Sequence, residues 1–416
     1  MNNILSRFPL YLILALLIFV SCDNGMDDVE IPSENEYLVS SDPVATYQKE
    51  SITTYIALAK LLYPDQADEL DQLLIYVETG VQVYKIVYNT QFKGETVQAS
   101  GIVCFPDQPG SYPILSYQNG TNTLHSAAPT VDDDNKLFQI LEMMGSTGFI
   151  ITLPDYLGFG ESENMFHPYL HKESTVQSLV DMLRAVKEMT EEQQDIDFNN
   201  DLYISGYSQG GWATMALQQA IETNYSSEFN LQASACGAGP YNLTTINEYV
   251  TGLTEYPMPY FLGYIFNSYL ELDLSTPIED VIQAPYAALI PELYDGTKDG
   301  DAINDLLTTS MPDFFTADYI SNWATDTKFK NLTDMLAENS VEAWATTTPT
   351  LILHGTADMF VPLMVSTDIY ADFIAAGTSN NLIEFVPLEG LNHSGGIVPS
   401  GLASLKWFIQ LKDNAL

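Results

Sequence analysis

The stretch "DLYISGYSQGGWATMALQQAI" puts Ser208 at the end of an apolar, strand-like run and the start of a helix-like one. A strand-to-helix reversal that tight strains the serine backbone, and it is tolerated only where side chains two positions away are almost absent. Gly206 and Gly210 supply that absence. The hydroxyl then stands beside a helix N-terminus, where free N–H groups favour developing negative charge. A serine hydroxyl attacks poorly unaided, so the pattern demands a base and a group to orient that base.

Five histidines are available: His125, His167, His171, His354 and His393. His393, in "EGLNHSGG", follows the last strand-like run and precedes the final helix, where it can be delivered over the nucleophile. His354 ends a strand in "LILHGTAD" and is read as satisfying local hydrogen bonds, while His125, His167 and His171 are read as shaping loops near the pocket. Asp358, in "HGTADMFVP", lies on a loop suited to orient His393. Glu389 and Asp155 compete for that role, but Glu389 lies too close in sequence to His393 and Asp155 follows the wrong strand. The order Ser208, Asp358, His393 is one in which a Ser-His-Asp relay can be built.

These residues need a scaffold. Residues 45–78 carry apolar positions at helical spacing, and 81–105 then alternate with period two as an antiparallel hairpin. Short apolar strands follow at 112–118, 148–155, 201–208, 231–237, 348–355 and 381–388. Helical segments are expected near 136–146, 172–190, 209–224, 366–376 and 401–412. Near-continuous apolar strands separated by helices predict an α/β fold with a mostly parallel central sheet flanked by helices. Residues 241–347 interrupt this rhythm with Tyr, Phe, Leu, Met and Pro, and predict a large helical cap inserted after strand 6. Burying about 100 Å² of such apolar surface against an acyl chain or aromatic ester is worth roughly 2.5 kcal/mol.

Taken together, "GYSQGG", "HGTADMFVP" and "GLNHSGG" resemble the α/β-hydrolase superfamily, over roughly residues 80–416. "SYQNGT", "LPDYLGFGES" and the cap are similar to its secretory lipase and esterase branch. The resemblance implies Ser208 as nucleophile, His393 as base and Asp358 as its orienter. It also implies an oxyanion site from the N–H of Gln209 and of Thr121, with Gly120 as the alternative. The implied activity is carboxylic ester hydrolysis through an acyl-enzyme, without metal or organic cofactor. Two further activities share the machinery, namely a polysaccharide acetyl or feruloyl esterase and a serine peptidase. The rival from another class is a catalytically inactive surface-binding lipoprotein.

The chain carries 14 Lys+Arg against 55 Asp+Glu, a formal charge of −41, which repels phosphate backbones and excludes nucleic acid as a partner. Its start, "MNNILSRFPLYLILALLIFVSC", has one arginine and then an apolar run too short to span a membrane comfortably. "LIFVSC" resembles the lipobox of bacterial lipoproteins, with Cys22 as the lipid-bearing residue. Expected divisions are a signal peptide at 1–22, a flexible acidic tether at 23–44, core at 45–240, cap at 241–347 and core again at 348–416. The expected protein is exported and membrane-anchored through lipid, on the periplasmic side or the cell surface. Cys104 and Cys236 lie in apolar runs and are read as buried thiols, with a disulfide as the alternative.

Overall fold

A computed structural model describes residues 35–193 and 195–414; the signal-like segment and Cys22 lie outside the described residues. Nine strands form one sheet in the order β1-β2-β3-β5-β4-β6-β7-β8-β9. They are β1 (Leu38–Tyr47), β2 (Val81–Phe92), β3 (Glu95–Pro106), β4 (Gly110–Gln118), β5 (Ile150–Pro154), β6 (Ile196–Tyr207), β7 (Asn230–Gly237), β8 (Thr350–Gly355) and β9 (Ile383–Leu388). β1, β2, β3 and β5 pair antiparallel, and every pairing from β5 through β4 to β9 is parallel.

Buried side chains alternate between the two faces, as period two demands. Ile150, Leu202, Ile204 and Ile352 enter one core together with Trp212 and the cap. Ile151, Leu153, Tyr203, Leu351 and Leu353 enter the other, with Phe408 and Leu405 of the C-terminal helix Ile397–Asn414. The amino-terminal helices Lys49–Leu62 and Ala67–Leu73 pack on that second face through Ile52, Ala59, Leu70 and Leu73. Their place was not readable from the sequence.

The expected tether through residue 44 and helix from residue 45 both need correction, because Leu38–Tyr47 is a strand paired with β2 and the helix starts at Lys49. All but Leu38 of the strand's side chains stand at least partly in solvent, so it has no apolar alternation to find. Its ladder bonds and Glu188 hold it: the Glu188 carboxylate accepts the backbone N–H groups of Glu36, Tyr37 and Leu38 at 2.7–3.2 Å. This extra edge strand makes the sixth expected strand β7. Between β7 and β8 run eight α-helices, from Leu243–Thr251 to Lys330–Glu338, and among the described residues the β-pairing in this stretch is limited to isolated bridges such as Glu255 to Ser310. Cys104 and Cys236 are buried and free, which settles the alternative of a disulfide.

Parallel register brings the working ends of the strands level. Gln118 pairs with Gly206, Gly206 with Cys236, and Gly237 with Leu353. The loops after β4, β6, β8 and β9 therefore leave from one edge of the sheet, where sites on such folds lie.

Replacing Glu188 by Ala strips the N–H groups of residues 36–38 of their acceptor. The expected loss is about 1–3 kcal/mol in urea unfolding, with limited proteolysis cutting first ahead of Lys49. An unchanged midpoint and cleavage pattern would disprove the clamp.

Candidate active site

Ser208 joins β6 to the helix Gln209–Ala220 and has φ 59° and ψ −123°, a conformation that costs a non-glycine residue about 1–3 kcal/mol. The neighbouring glycines have no alternative: a Cβ on Gly206 would strike the carbonyl of Gly210, and one on Gly210 the carbonyl of Gln118. The Ser208 N–H donates to the Gly237 carbonyl at 2.8 Å, pinning the turn to the end of β7.

Three expected residues converge here. The Ser208 hydroxyl lies 2.9 Å from His393 Nε2, and His393 Nδ1 lies 2.6 Å from Asp358 Oδ2. All three are buried. The His393 ring sits between Tyr207 and Phe360, with ring centres 5.2 and 5.3 Å away, and Tyr207 donates its hydroxyl hydrogen to the His393 carbonyl at 2.8 Å. Asp358 Oδ1 accepts the backbone N–H groups of Phe360 and Val361 at 2.8 and 3.0 Å. Burial works to raise the Asp358 pKa, but hydrogen bonds from His354 and His393 outweigh it and hold the carboxyl well below the usual carboxylate range.

His354 is therefore more than a local strand-end residue. Fully buried, it has Nε2 at 3.2 Å from Asp358 Oδ2 and 3.0 Å from the Val361 carbonyl, while Nδ1 lies 2.7 Å from the Ser366 hydroxyl. Two acceptors beside Nε2 put the proton there, so Ser366 donates to Nδ1. Its position four residues before Asp358 in "HGTAD" was the available signal. The competing acids sit elsewhere. Asp155 is buried under hydrogen bonds from Ser100 and Thr130, and Glu389 is exposed beside Thr356. His171 faces Ser174 at the start of the helix Lys172–Glu192.

Around the hydroxyl, a Cβ built on Gly120 would lie 3.9 Å from Ser208 Cβ, so the loop after β4 runs against the serine. Among the described residues, no acceptor takes the backbone N–H of Gly120, Thr121 or Gln209. A helix's first N–H has no partner within the helix, and Gln209 supplies it here. His167, which the sequence left as a loop residue, lies directly behind Gln209: its Nε2 is 3.0 Å from the Gln209 side-chain amide nitrogen. Its Nδ1 is 2.6 Å from the Leu157 carbonyl, which fixes the proton on Nδ1. Burial lowers the His167 pKa to about 4 and keeps the ring neutral.

Beside Ser208 lies an apolar cavity of about 30 Å³. Tyr169, Leu170, Phe360 and Val361 line it from the core, and Leu243, Ile246, Phe261, Leu262 and Ile265 line it from the cap. Among the described residues, no group of three or more His, Cys, Asp or Glu side chains could hold a metal ion, and no helix is long and apolar enough to cross a membrane.

Against known proteins, the secretory lipase family model matches residues 123–414. No curated protein is matched in sequence. A Legionella pneumophila protein provisionally assigned to the hydrolases is 27% identical, with a TM-score of 0.79, covering 91% of this chain and 98% of its own. The rice cell wall degrading esterase LipA from Xanthomonas oryzae is 26% identical, with a TM-score of 0.73 and the same coverage. Candida antarctica lipase A, at 16% identity, a TM-score of 0.66 and coverage of 92% and 83%, shares the fold. The match over most of the chain, on a sheet of this order, makes it a member of the secretory lipase family and an α/β-hydrolase of the lipase and carboxylesterase type.

Proposed function

We propose that Ser208, His393 and Asp358 form the catalytic triad by which this hydrolase cleaves carboxylic esters. The observation that carries the reading is the unbroken line of contacts from Ser208 Oγ to His393 Nε2 at 2.9 Å and from His393 Nδ1 to Asp358 Oδ2 at 2.6 Å. Ser208 Oγ attacks the ester carbonyl carbon as its proton passes to His393 Nε2. The oxyanion takes hydrogen bonds from the N–H of Gln209 and of Thr121 or Gly120, each donor worth about 3–4 kcal/mol. Collapse of the tetrahedral intermediate breaks the bond to the alcohol oxygen, which receives the proton from His393. Water, deprotonated by the same ring, then releases the acid and restores Ser208. Asp358 stays ionised throughout and stabilises the imidazolium.

The apolar cavity beside Ser208 supports an aliphatic acyl group on that side, with cap helices Leu243–Thr251 and Pro259–Glu271 setting its length. The cap thus serves as lid and acyl wall. A polysaccharide ester is the second reading, favoured by the likeness to an esterase that degrades plant cell walls. For location, the family supports export, and the "LIFVSC" sequence supports a lipid on Cys22 that tethers the enzyme to a membrane.

Ser208→Ala is expected to lose p-nitrophenyl butyrate hydrolysis and all labelling by a fluorophosphonate probe, and wild-type activity in that variant would end the proposal. Asp358→Asn keeps the shape of the site but favours the wrong imidazole tautomer, so kcat should fall by about 10⁴-fold. Leu262→Ala opens the acyl wall. Over a series of p-nitrophenyl esters, kcat/KM should shift toward longer chains by about tenfold or more per suitable methylene, whereas an unchanged profile would take the acyl group out of this cavity.

A further inference from the structure

We infer that His167 and Tyr169 are positioning residues for the oxyanion site, and that the cap bears on that site through Tyr264. The inference rests on the triad reading above. Segment Phe166–Leu170 belongs to neither the nucleophile turn nor the loop after β4, yet it holds both. His167 Nε2 accepts from the side-chain amide of Gln209 at 3.0 Å, and the Tyr169 hydroxyl lies 2.9 Å from Thr121 Oγ1. Gln209 is one of the proposed oxyanion donors, and Thr121 belongs to the Gly120–Thr121 pair proposed to supply the other.

The contacts are placed for stiffness. The His167 and Tyr169 side chains are buried, and Leu170, next in the chain, holds a left-handed φ of 51°. The other end of the Gln209 amide, Oε1, is buried with no partner among the described residues. The bond to His167 is then what fixes the amide's orientation. A neutral ring protonated on Nδ1 is required for this, and the Leu157 carbonyl enforces it.

One cap ring closes the arrangement. Tyr264, on the helix Pro259–Glu271, stacks on Tyr169 with ring centres 4.4 Å apart and planes 11° from parallel, and lies 5.5 Å from the His167 ring. On its other side it stacks on Tyr294 at 4.6 Å, and the Tyr294 hydroxyl donates to the Tyr260 carbonyl at 2.6 Å. Stacked aromatic pairs add favourable energy beyond the area they bury, so the cap helix is tied through Tyr264 to Tyr169 and His167, which in turn contact Thr121 and Gln209.

The test compares wild type with Tyr169→Phe, His167→Ala and Tyr264→Ala on p-nitrophenyl butyrate, and measures binding of a trifluoromethyl ketone, whose adduct places an oxyanion in the same site. Expected is a 10- to 100-fold fall in kcat with KM within about twofold. Inhibitor affinity should fall by the same factor as kcat/KM, and the pH midpoint of kcat/KM should stay in place because the base is untouched. Loss of kcat without loss of inhibitor affinity, a rise in KM alone, or kcat within twofold of wild type in all three variants would overturn the inference. Tyr169→Phe removes a single oxygen, and so keeps the test open if His167→Ala does not fold. If the triad reading itself is wrong, the wild-type protein fails to bind the ketone and Ser208→Ala stays active, an outcome distinct from any of these.

Discussion

The meeting of four backbones at Ser208 constrains everything else in the site. Gln118, Gly206 and Gly210 approach so closely that no Cβ fits at either glycine, Gly237 accepts the Ser208 N–H, and Ser208 holds a positive φ of 59° between them. That turn stands because parallel register aligns β4, β6 and β7 and because the Ser208 N–H is bonded to the end of β7. A strained residue persists only where its surroundings over-determine it. The return is a hydroxyl beside an unpartnered helix N–H, with the loop after β4 already against it.

The molecule is very acidic, with 55 acidic residues against 14 basic ones, and among the described residues no Lys or Arg forms an ion pair with Asp358. Asp358 is instead held ionised by dipoles and imidazoles: two backbone N–H groups on one oxygen, His393 and His354 on the other. Such bonds act at short range inside a low-dielectric pocket and are little affected by salt. His354 is in turn fixed by Ser366, so the acid is oriented from behind as well as from the front.

The cap adds the third element. Its aromatic residues do two physical jobs that composition cannot separate. Phe314, Phe315, Phe329 and Tyr319 are fully buried and hold the cap together. Phe261, Leu262 and Ile265 instead reach the cavity beside Ser208, and Tyr264 stacks on Tyr169 in the segment that contacts Gln209 and Thr121. One helix, Pro259–Glu271, thus both lines the cavity beside Ser208 and stacks on Tyr169.

Much of this was set by local sequence. Period-two and helical spacing gave eight of the nine strands and the helices between them, because burial on both faces forces apolar runs. Gly206 and Gly210 announced the turn, and strand ends announced Ser208, Asp358 and His393 as candidates. β1 could not be found this way, since its side chains face solvent and its hold is made by backbone and by Glu188. What the tertiary structure alone decided is which distant groups meet: Asp358 with His393, His167 with Gln209, Tyr169 with Thr121 and with Tyr264. The physical reason is that propensity and periodicity are properties of neighbours along the chain. Hydrogen bonds and ring stacks depend on register, loop path and cap packing, which join residues far apart in sequence and leave no repeating mark on it.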